Sequence, residues 1–327
     1  MLSTDIGIDL GASNTLIFEK KKGIVLNEPS IIIIDNKTKK VVEIGNLAYK
    51  VIGKEPNNLQ IIRPFENGTI KDIEALELML NEFLKKIKKT FIINKVLISV
   101  PNQTTQFEKN IIKEILLKAG VRKVYIENNM KTAALGIGLK IAEPTANMII
   151  DIGGTTTDIA VLSLNEIVIN KTLQIGGKAL NEEIIKCIGE KYKVLIGENV
   201  AEELKTKTID LLKNNKFVEI KGKNVFSGIP TQITINTKEL NIAVKEITDK
   251  IINEIIQVFE QLSPELSADI VEKGIVITGG SSKLKGLLET IRSRIKVPVF
   301  IAEFPMISVI EGTEIILNEK KYLNEDQ

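Results

Sequence analysis

One short pattern occurs twice in this chain, and it constrains the fold more than any other feature of the sequence. Residues 8–18 read IDLGASNTLIF and residues 150–160 read IDIGGTTTDIA. Each copy has an apolar strand, an aspartate, a glycine with small or polar neighbours, and a second apolar strand. The copies are too far apart for a solenoid, so the pattern predicts two duplicated lobes that face each other.

The polar residues of the repeat suit a polyphosphate ligand. A glycine in a tight hairpin lets backbone N–H groups approach a phosphate closely. Asp9 and Asp151 would repel a bare triphosphate, so they indicate Mg²⁺ or its waters between carboxylate and phosphate. Two ordinary hairpins with glycine turns are the alternative, which fits one copy easily and two matching copies poorly. The nearby side-chain donors are Ser13, Asn14, Thr155 and Thr156.

A third glycine-rich segment fits the same ligand. Residues 274–282 read GIVITGGSS, which predicts a buried strand that ends in a Gly-Gly turn before a helix. Ligands of α/β sheets bind outside the carboxyl ends of the strands, so this turn is expected to cover a nucleoside. A simple strand-to-helix turn remains the alternative.

Composition excludes several classes of protein. There is no histidine, which removes Ser-His-Asp and Cys-His catalysis and His-ligated zinc, so any metal should be a hard cation on oxygen ligands. The single cysteine, Cys187, is expected to be a buried thiol on the apolar side of a helix. The net charge is +2 with interspersed signs, which argues against a nucleic-acid partner. No signal peptide and no apolar run of spanning length is seen, so a cytoplasmic protein is expected.

Strand and helix patterns alternate, which predicts the α/β class. Thr105 and Glu108 form a capping-box pattern that predicts a helix start, and Gly120 predicts its end. Further along, residues 216–235 are expected to be β-rich with turns at Gly222 and at 228–230, and residues 245–262 to be an amphipathic helix. The predicted apolar stripe of the capped helix is Phe107, Ile111, Ile115 and Ala119.

Together the three glycine-rich segments resemble the phosphate-1, phosphate-2 and adenosine motifs of the actin-like ATPase superfamily. Within it, the chain most resembles the MreB family of bacterial actin homologues, from about Asp5 to Gly312. Four further segments carry that resemblance, namely residues 23–30 (GIVLNEPS), 62–64 (IRP) with Gly68 and Asp72, 263–266 (SPEL), and 269–270 (DI).

The resemblance implies an actin-like ATPase fold of α/β class, with two duplicated ribonuclease-H-like lobes and two small subdomains flanking a nucleotide cleft. It implies the cofactors ATP and Mg²⁺, self-association into antiparallel pairs of protofilaments, and contact with the inner membrane surface. By position, the core of lobe I would be 1–29, 72–138 and 310–327, with the small subdomain 30–71; the core of lobe II would be 139–179 and 244–309, with the small subdomain 180–243.

The resemblance also implies roles for single residues. Ala12, Ser13, Asn14 and Thr15 would hold the β- and γ-phosphates, with Gly153, Gly154 and Thr155 opposite. Asp9 and Asp151 would lie near Mg²⁺ through water. Glu202, Glu203 and Lys205 would contact the ribose and base, and Gly279, Gly280, Ser281 and Ser282 would pack over the adenosine.

The catalytic position departs from the family. Asn129 falls where the family has its catalytic glutamate, and Glu127 lies two residues away, so it is not assigned that role. An amide can orient water but cannot accept a proton as a carboxylate does, so ATP is expected to bind and to be hydrolysed slowly. The hydroxyl near the γ-phosphate would come from Thr156 or Thr157. A small-molecule kinase of the same fold is the alternative, although no dedicated carboxylate base is evident.

A membrane contact has one candidate segment. Residues 90–93 (TFII) lie where other family members use an apolar loop, beside a basic flank of Lys85, Lys86, Lys88 and Lys89 that would suit anionic lipid. The competing interpretation is slightly favoured: the apolar residues pack in or beside the strand at Lys95, and the lysines are a solvated helix end.

Overall fold

The computed structural model describes residues 3–87, 92–213, 216–319 and 322. The chain divides into two compact units, of which the first combines residues 1–141 with 306–327 and the second is residues 142–305. Unit 2 is therefore a single stretch of chain, whereas unit 1 is completed by the last residues.

Unit 1 is built on a five-stranded sheet with the order β10-β9-β1-β2-β3. Its strands are β1 (Ser3–Leu10), β2 (Asn14–Glu19), β3 (Gly23–Pro29), β9 (Ile92–Val100) and β10 (Lys123–Asn128). Its larger helices are α2 (Ile73–Ile87), α3 (Gln106–Lys118), α4 (Asn129–Gly136) and α10 (Ser308–Asn318). A smaller part holds β4 (Ile32–Asp35), β5 (Val41–Ile44), α1 (Gly45–Val51), β6 (Leu59–Ile62), β7 (Phe65–Glu66) and β8 (Thr69–Ile70).

Unit 2 is built on a second five-stranded sheet with the order β13-β12-β11-β17-β18. Its strands are β11 (Asn147–Ile152), β12 (Thr157–Ser163), β13 (Glu166–Leu173), β17 (Ile275–Thr278) and β18 (Val299–Ile301). Its larger helices are α5 (Gly177–Tyr192), α7 (Thr237–Glu260), α8 (Pro264–Lys273) and α9 (Leu287–Arg294). A three-stranded sheet adds β14 (Val194–Leu195), β15 (Phe217–Asn224) and β16 (Pro230–Asn236), next to α6 (Glu198–Lys207) in the chain.

The two large sheets have the same topology. In each, the repeated hairpin supplies two antiparallel central strands, with a third antiparallel strand on one side and two parallel strands on the other. Isoleucine fills the central strands because β-branched side chains suit a sheet that is covered on both faces. Ile6, Ile8, Ile149 and Ile150 are fully buried. The sequence repeat is therefore a structural duplication.

Helices α4 and α10 of unit 1 touch through their backbones. A Cβ added at Gly312 would lie 1.8 Å from the carbonyl oxygen of Thr132, and one added at Gly136 would lie 1.9 Å from that of Ser308. Only glycine fits at such a crossing. The beginning of α4, which contains Asn129, is consequently held by the C-terminal helix.

The capped helix begins as predicted, but its apolar stripe was partly wrong. Thr105 and Glu108 form the complete capping box. Phe107 is 72% exposed, because it lies about 140° around the helix from Ile112. The helix instead buries Ile112, Ile115 and Leu116.

Two other expectations need correction. Gly222 does not make a turn, because β15 runs through it and pairs it with Thr231. The glycine is needed since a Cβ would lie 2.4 Å from Cγ1 of Val194. The long helix starts at Thr237, with Asn236 as its side-chain cap, rather than at residue 245.

The predicted membrane segment is only partly described. Thr90 and Phe91, with Lys88 and Lys89, lie outside the described residues. Ile93 is buried in β9. No helix among the described residues is both long and apolar enough to cross a bilayer.

Candidate functional site

The two repeated turns are closed by the same hydrogen bonds. In unit 1 the N–H of Gly11 donates to the carbonyl of Asn14 at 3.1 Å, and in unit 2 the N–H of Gly153 donates to that of Thr156 at 2.9 Å. A serine from elsewhere in the same unit then holds each glycine carbonyl: the Ser30 hydroxyl donates to Gly11 at 2.6 Å and the Ser281 hydroxyl to Gly153 at 2.9 Å. Both turns are thus fixed in advance of any ligand.

The other predicted phosphate contacts of unit 1 lie on or beside this turn. Ser13 is exposed and Ala12 is partly exposed, whereas Thr15 is fully buried and its hydroxyl bonds that of Ser30 at 2.8 Å. The amide of Asn14 donates to Asn27 at 2.8 Å. Thr15 and Asn14 therefore stabilise the turn in this state, and Ser13 is the side chain most open to a ligand.

Asp9 lies at the carboxyl end of the unit 1 sheet, in a row of polar residues. Strand register pairs Asp9 with Ser99, and Ser99 with Glu127 on the next strand. Burial raises the pKa of Asp9 to about 7. The hydroxyl oxygen of Ser99 is buried without a hydrogen-bond partner among the described residues. A carboxylate that resists ionisation beside an unpaired hydroxyl is an all-oxygen donor set, which fits a hard divalent cation or its water shell.

The raised pKa of Asp9 leads to a prediction about how the free energy of unfolding depends on pH. The unfolded state loses the Asp9 proton near its usual pKa of 3.8 and the folded state only near pH 7, so the free energy of unfolding falls as the pH rises between these values and levels off above them. Asp9→Asn removes this ionisation and the loss of stability that it causes. The ligand-free variant should be more stable than wild type, by a margin that widens by about 2 kcal/mol from about pH 5.5 to pH 8. Urea unfolding at both pH values measures this.

Asp35 in unit 1 provides a control, because its pKa is shifted in the direction opposite to that of Asp9. The Thr38 backbone N–H, together with the amide of Asn58, lowers the pKa of the exposed Asp35. Asp35→Asn should therefore show no stabilisation that grows with pH. A margin for Asp9→Asn that did not change with pH would contradict the assigned protonation.

The unit 2 turn contains a second aspartate that the sequence analysis did not assign. Asp158 is paired in register with Asp151 on the neighbouring strand and is 3% exposed. Burial raises the pKa of Asp158, and hydroxyl bonds from Thr172 and Thr156 oppose that shift. The Thr156 hydroxyl donates to Asp158 at 3.1 Å, so Asp158 holds it in place.

Of the two threonines proposed near the γ-phosphate, only one is partly accessible. Thr157 is fully buried and its hydroxyl donates to the Ile175 carbonyl at 2.7 Å. Thr156 is partly exposed, as are Gly153, Gly154 and Thr155 on the same turn. Thr156 is therefore the better of the two candidates.

The third glycine segment packs onto the same turn. Gly279 has φ +83°, and a Cβ there would lie 2.2 Å from Oδ1 of Asp151. Its neighbour Gly280 is exposed. Ser282 is buried and bonds the Gly279 carbonyl at 2.6 Å, so it shapes this turn, while Ser281 links it to Gly153. The predicted phosphate-2 and adenosine segments are in direct contact.

The residues predicted for ribose and base divide into two groups. Lys205 donates to Glu202 at 2.6 Å and to the carbonyl of Gly177 at 3.0 Å. Asn181, which the sequence did not single out, donates to the same Glu202 oxygen at 2.8 Å. Glu203 is 62% exposed and pairs with Lys207 instead. Glu202 and Lys205 therefore adjoin the phosphate-2 turn through Gly177, whose N–H donates to Gly153 at 3.0 Å.

Asn129 opens α4 directly after β10. It is 8% exposed, and its side-chain oxygen is buried without a hydrogen-bond partner among the described residues. Glu127 is already engaged: it pairs with Lys131 at 3.1 Å and accepts the Asn128 N–H at 2.9 Å. The unpartnered amide oxygen belongs to the residue predicted at the catalytic position, and the nearby carboxylate is held by a lysine.

The chain is similar to known proteins along almost its whole length. A family model described as MreB/Mbl protein matches residues 3–325. Cell shape-determining protein Mbl of Bacillus subtilis (strain 168) is 42% identical over 322 residues, covering 97% of each chain. Cell shape-determining protein MreB of Escherichia coli (strain K12) is 37% identical over 321 residues, covering 95% of this chain and 92% of that protein.

The fold is also similar to that of solved structures. The crystal structure of MreB5 of Spiroplasma citri bound to AMPPNP has a TM-score of 0.92 and 31% identity, covering 98% of each chain. The MamK double helical filament has a TM-score of 0.81 with 20% identity, covering 97% of this chain and 99% of that one, a likeness that concerns the fold alone. The actin-like α/β fold predicted from the sequence is confirmed.

Proposed function

This chain belongs to the MreB/Mbl family, and on that premise we propose that it is an ATP-binding bacterial cytoskeletal protein that assembles into actin-like filaments involved in cell shape. The observation that carries the proposal is the pair of aspartate-headed turns with matching hydrogen bonds, one in each duplicated sheet. The relatives at 42% and 37% identity are both cell shape-determining proteins. The kinase alternative has no support among them.

ATP with Mg²⁺ is the proposed ligand. Structures of the Spiroplasma citri protein with AMPPNP and with ADP support a nucleotide. The proposed phosphate contacts are Ser13 with the turn at Gly11, and the turn from Gly153 to Thr156. The proposed contacts of the ribose and base are Glu202 and Lys205. Asp9 and Asp151 would hold Mg²⁺ through water, and the ion would neutralise charge on the phosphates.

ATP would act as an assembly switch with slow turnover. Binding of γ-phosphate would favour an assembly-competent conformation, and hydrolysis would release it. Asp158 would keep the Thr156 hydroxyl oriented. Asn129 would orient water without accepting its proton, which would make the switch slow to reset.

Sedimentation and electron microscopy of the pure protein test this proposal. With Mg²⁺, ATP and AMPPNP should each give filaments that pellet, whereas ADP or chelation of Mg²⁺ should leave most of the protein in the supernatant. Protein that binds Mg-ATP in calorimetry yet stays monomeric at all concentrations would refute the filament proposal. A failure to bind Mg-ATP would refute the nucleotide site itself.

Antiparallel pairing of protofilaments is proposed from one face of α3. Phe107, Asn110, Glu114 and Leu117 are exposed and lie within about 80° of arc on this helix, and Lys118 is exposed beside them. Two copies of such a helix, packed antiparallel about a two-fold axis near residue 112, would bury Phe107 of one copy against Leu117 of the other and place Glu114 opposite Asn110. An isologous contact of this kind generates a two-fold pair.

Phe107→Glu should therefore abolish pairing and leave single protofilaments, because it puts a charge into the apolar contact with Leu117 of the other copy. Leu164→Glu, which changes another exposed apolar side chain, 62% exposed, is the matched control and should retain pairs. Electron microscopy of filaments with ATP distinguishes the two. Paired filaments from Phe107→Glu would exclude this face.

We further propose a cytoplasmic location with contact to the inner membrane surface. Two lysines of the predicted basic flank are engaged within unit 1, Lys85 with Glu82 and Lys86 with Glu28. Any lipid contact by this flank would therefore depend on its other residues or on release of these pairs.

A further inference from the structure

Asn181 in α5 is a buried amide that uses its donor but not its acceptor. The residue is 4% exposed, and its Nδ2 donates to Oε2 of Glu202 at 2.8 Å. Its Oδ1 is buried without a hydrogen-bond partner among the described residues. A buried acceptor left unpaired lowers stability, whereas a leucine would fill the same space without that penalty. The bond to Glu202, rather than packing, is therefore what accounts for an asparagine at this position.

The bond from Asn181 fixes one oxygen of Glu202 and leaves the other open. Lys205 donates to the same Oε2 atom at 2.6 Å, so both donors engage one side of the carboxylate. The Glu202 side chain is 43% exposed. Its Oε1 atom accepts no hydrogen bond from the part of the chain that the structure describes. The carboxylate is thus held in one orientation with one acceptor free.

The helix that carries Asn181 also holds the phosphate-2 turn. Asn181 lies four residues after Gly177, so the two share one face of α5, one turn apart. The Gly177 N–H donates to the Gly153 carbonyl at 3.0 Å, and the Gly177 carbonyl accepts the Lys205 ammonium at 3.0 Å. One turn of helix rises only about 5.4 Å. The free oxygen of Glu202 is therefore tied by a short, rigid path to the turn proposed to bind phosphate.

We infer that Asn181 is a positioning residue for the ribose: it holds Glu202 so that Oε1 accepts a hydrogen bond from a ribose hydroxyl. An ionised carboxylate only accepts hydrogen bonds, and the 2′ and 3′ hydroxyls are the donors that lie between the phosphates and the base of a nucleotide. An acceptor fixed before binding loses little conformational freedom when the ligand arrives. The inference rests on the proposed nucleotide site and adds the residue that makes this site recognise a ribose.

A purely structural role for Asn181 is the competing explanation. The amide would then only join α5 to α6, and removing it would lower stability or weaken the binding of every nucleotide equally. A positioning role predicts a different result, since only ligands that carry the recognised hydroxyl should lose affinity. The ratio of affinities between ATP and its deoxy analogues therefore distinguishes the two roles.

Calorimetric titration of the pure protein with the Mg²⁺ complexes of ATP, 2′-deoxyATP and 3′-deoxyATP measures this ratio. Wild type should bind at least one deoxy analogue about tenfold more weakly than ATP, because a hydrogen bond to a charged acceptor is lost. Asn181→Leu keeps the number and branching of the side-chain heavy atoms. This variant should bind ATP about tenfold more weakly than wild type, and its affinities for ATP and for that analogue should agree within about twofold.

Asn241→Leu is the matched control in the same unit. Asn241 is also a buried amide of a helix, 5% exposed in α7, and it bonds the Asp210 N–H at 3.2 Å and the Lys213 carbonyl at 2.7 Å. Its replacement should lower the melting temperature and leave the preference for ATP over the analogue at the wild-type value. Thermal melting shows which variants are folded, and Asn181→Ala replaces Asn181→Leu if the leucine variant does not fold.

A double-mutant cycle shows whether Asn181 acts through Glu202. Glu202→Ala should abolish the preference for ATP, because it removes the acceptor itself. Adding Asn181→Leu to Glu202→Ala should then change neither the ATP affinity nor the preference further, because the side chain that Asn181 positions is gone. Losses that simply add would contradict an action through Glu202.

The remaining outcomes separate this inference from the proposed function. Wild type that binds ATP and both deoxy analogues equally would overturn the inference, and so would an Asn181→Leu variant that keeps the wild-type preference. Wild type that binds none of the three nucleotides would instead refute the proposed nucleotide site.

Discussion

Gly312→Ala is expected to destabilise unit 1 by about 3 kcal/mol or more and to yield largely insoluble protein. The new methyl group would sit 1.8 Å from the Thr132 carbonyl oxygen, a backbone atom of α4 that cannot rotate away. Alanine is a better helix former than glycine by about 1 kcal/mol, so any loss must come from the clash. Thermal melting and the soluble fraction measure it.

Gly189→Ala is the matched control for that substitution. Gly189 also lies inside a helix, α5, but a Cβ there meets nothing within 4 Å. This variant should be as stable as wild type or more stable by up to about 1 kcal/mol. Equal stability of the two variants would mean that α4 and α10 can separate without penalty.

Asn129→Glu is expected to raise the rate of phosphate release from ATP by about tenfold to a hundredfold, because a positioned general base contributes at least that much in other enzymes. Two features of this position favour a carboxylate. Asn129 begins α4, where the helix dipole stabilises negative charge, and its amide oxygen is buried and unpaired among the described residues. A phosphate-release assay at saturating Mg-ATP measures the change.

Asn129→Gln separates charge from side-chain length. Glutamine has the shape of glutamate without its basicity, so this variant should stay close to the wild-type rate. If glutamine accelerates release as much as glutamate, reach rather than proton transfer limits the reaction. If wild type already turns over as fast as Asn129→Glu, the slow-hydrolysis proposal is wrong.

Local sequence patterns correctly predicted several strands, turns and helix starts. The hairpins of the repeat and the capping box at Thr105 each depend on residues close in the chain, so spacing is sufficient to identify them. Phe107 and Gly222 were misassigned because the deciding contacts are distant. Whether Phe107 is covered depends on what packs against α3, and Gly222 is required by Val194 on another strand.

The same distinction applies to the candidate site. Glycines and aspartates of the turns could be recognised from their own neighbours. Ser30, Asp158 and Asn181 could not, because their roles arise from strand register and from contacts 14 to 21 residues away in the chain. The Gly-Gly pair at 176–177, visible in the sequence, was the one overlooked signal of the close contact with Gly153.

The division of the chain has a consequence for its synthesis. Unit 2 is one uninterrupted segment, whereas unit 1 needs α10, which is translated after the whole of unit 2. Domains fold as they leave the ribosome, so the middle of this protein can become native while its first 141 residues still await their closing helix. The first 141 residues of a nascent chain therefore cannot complete the packing of unit 1 until α10 has left the ribosome.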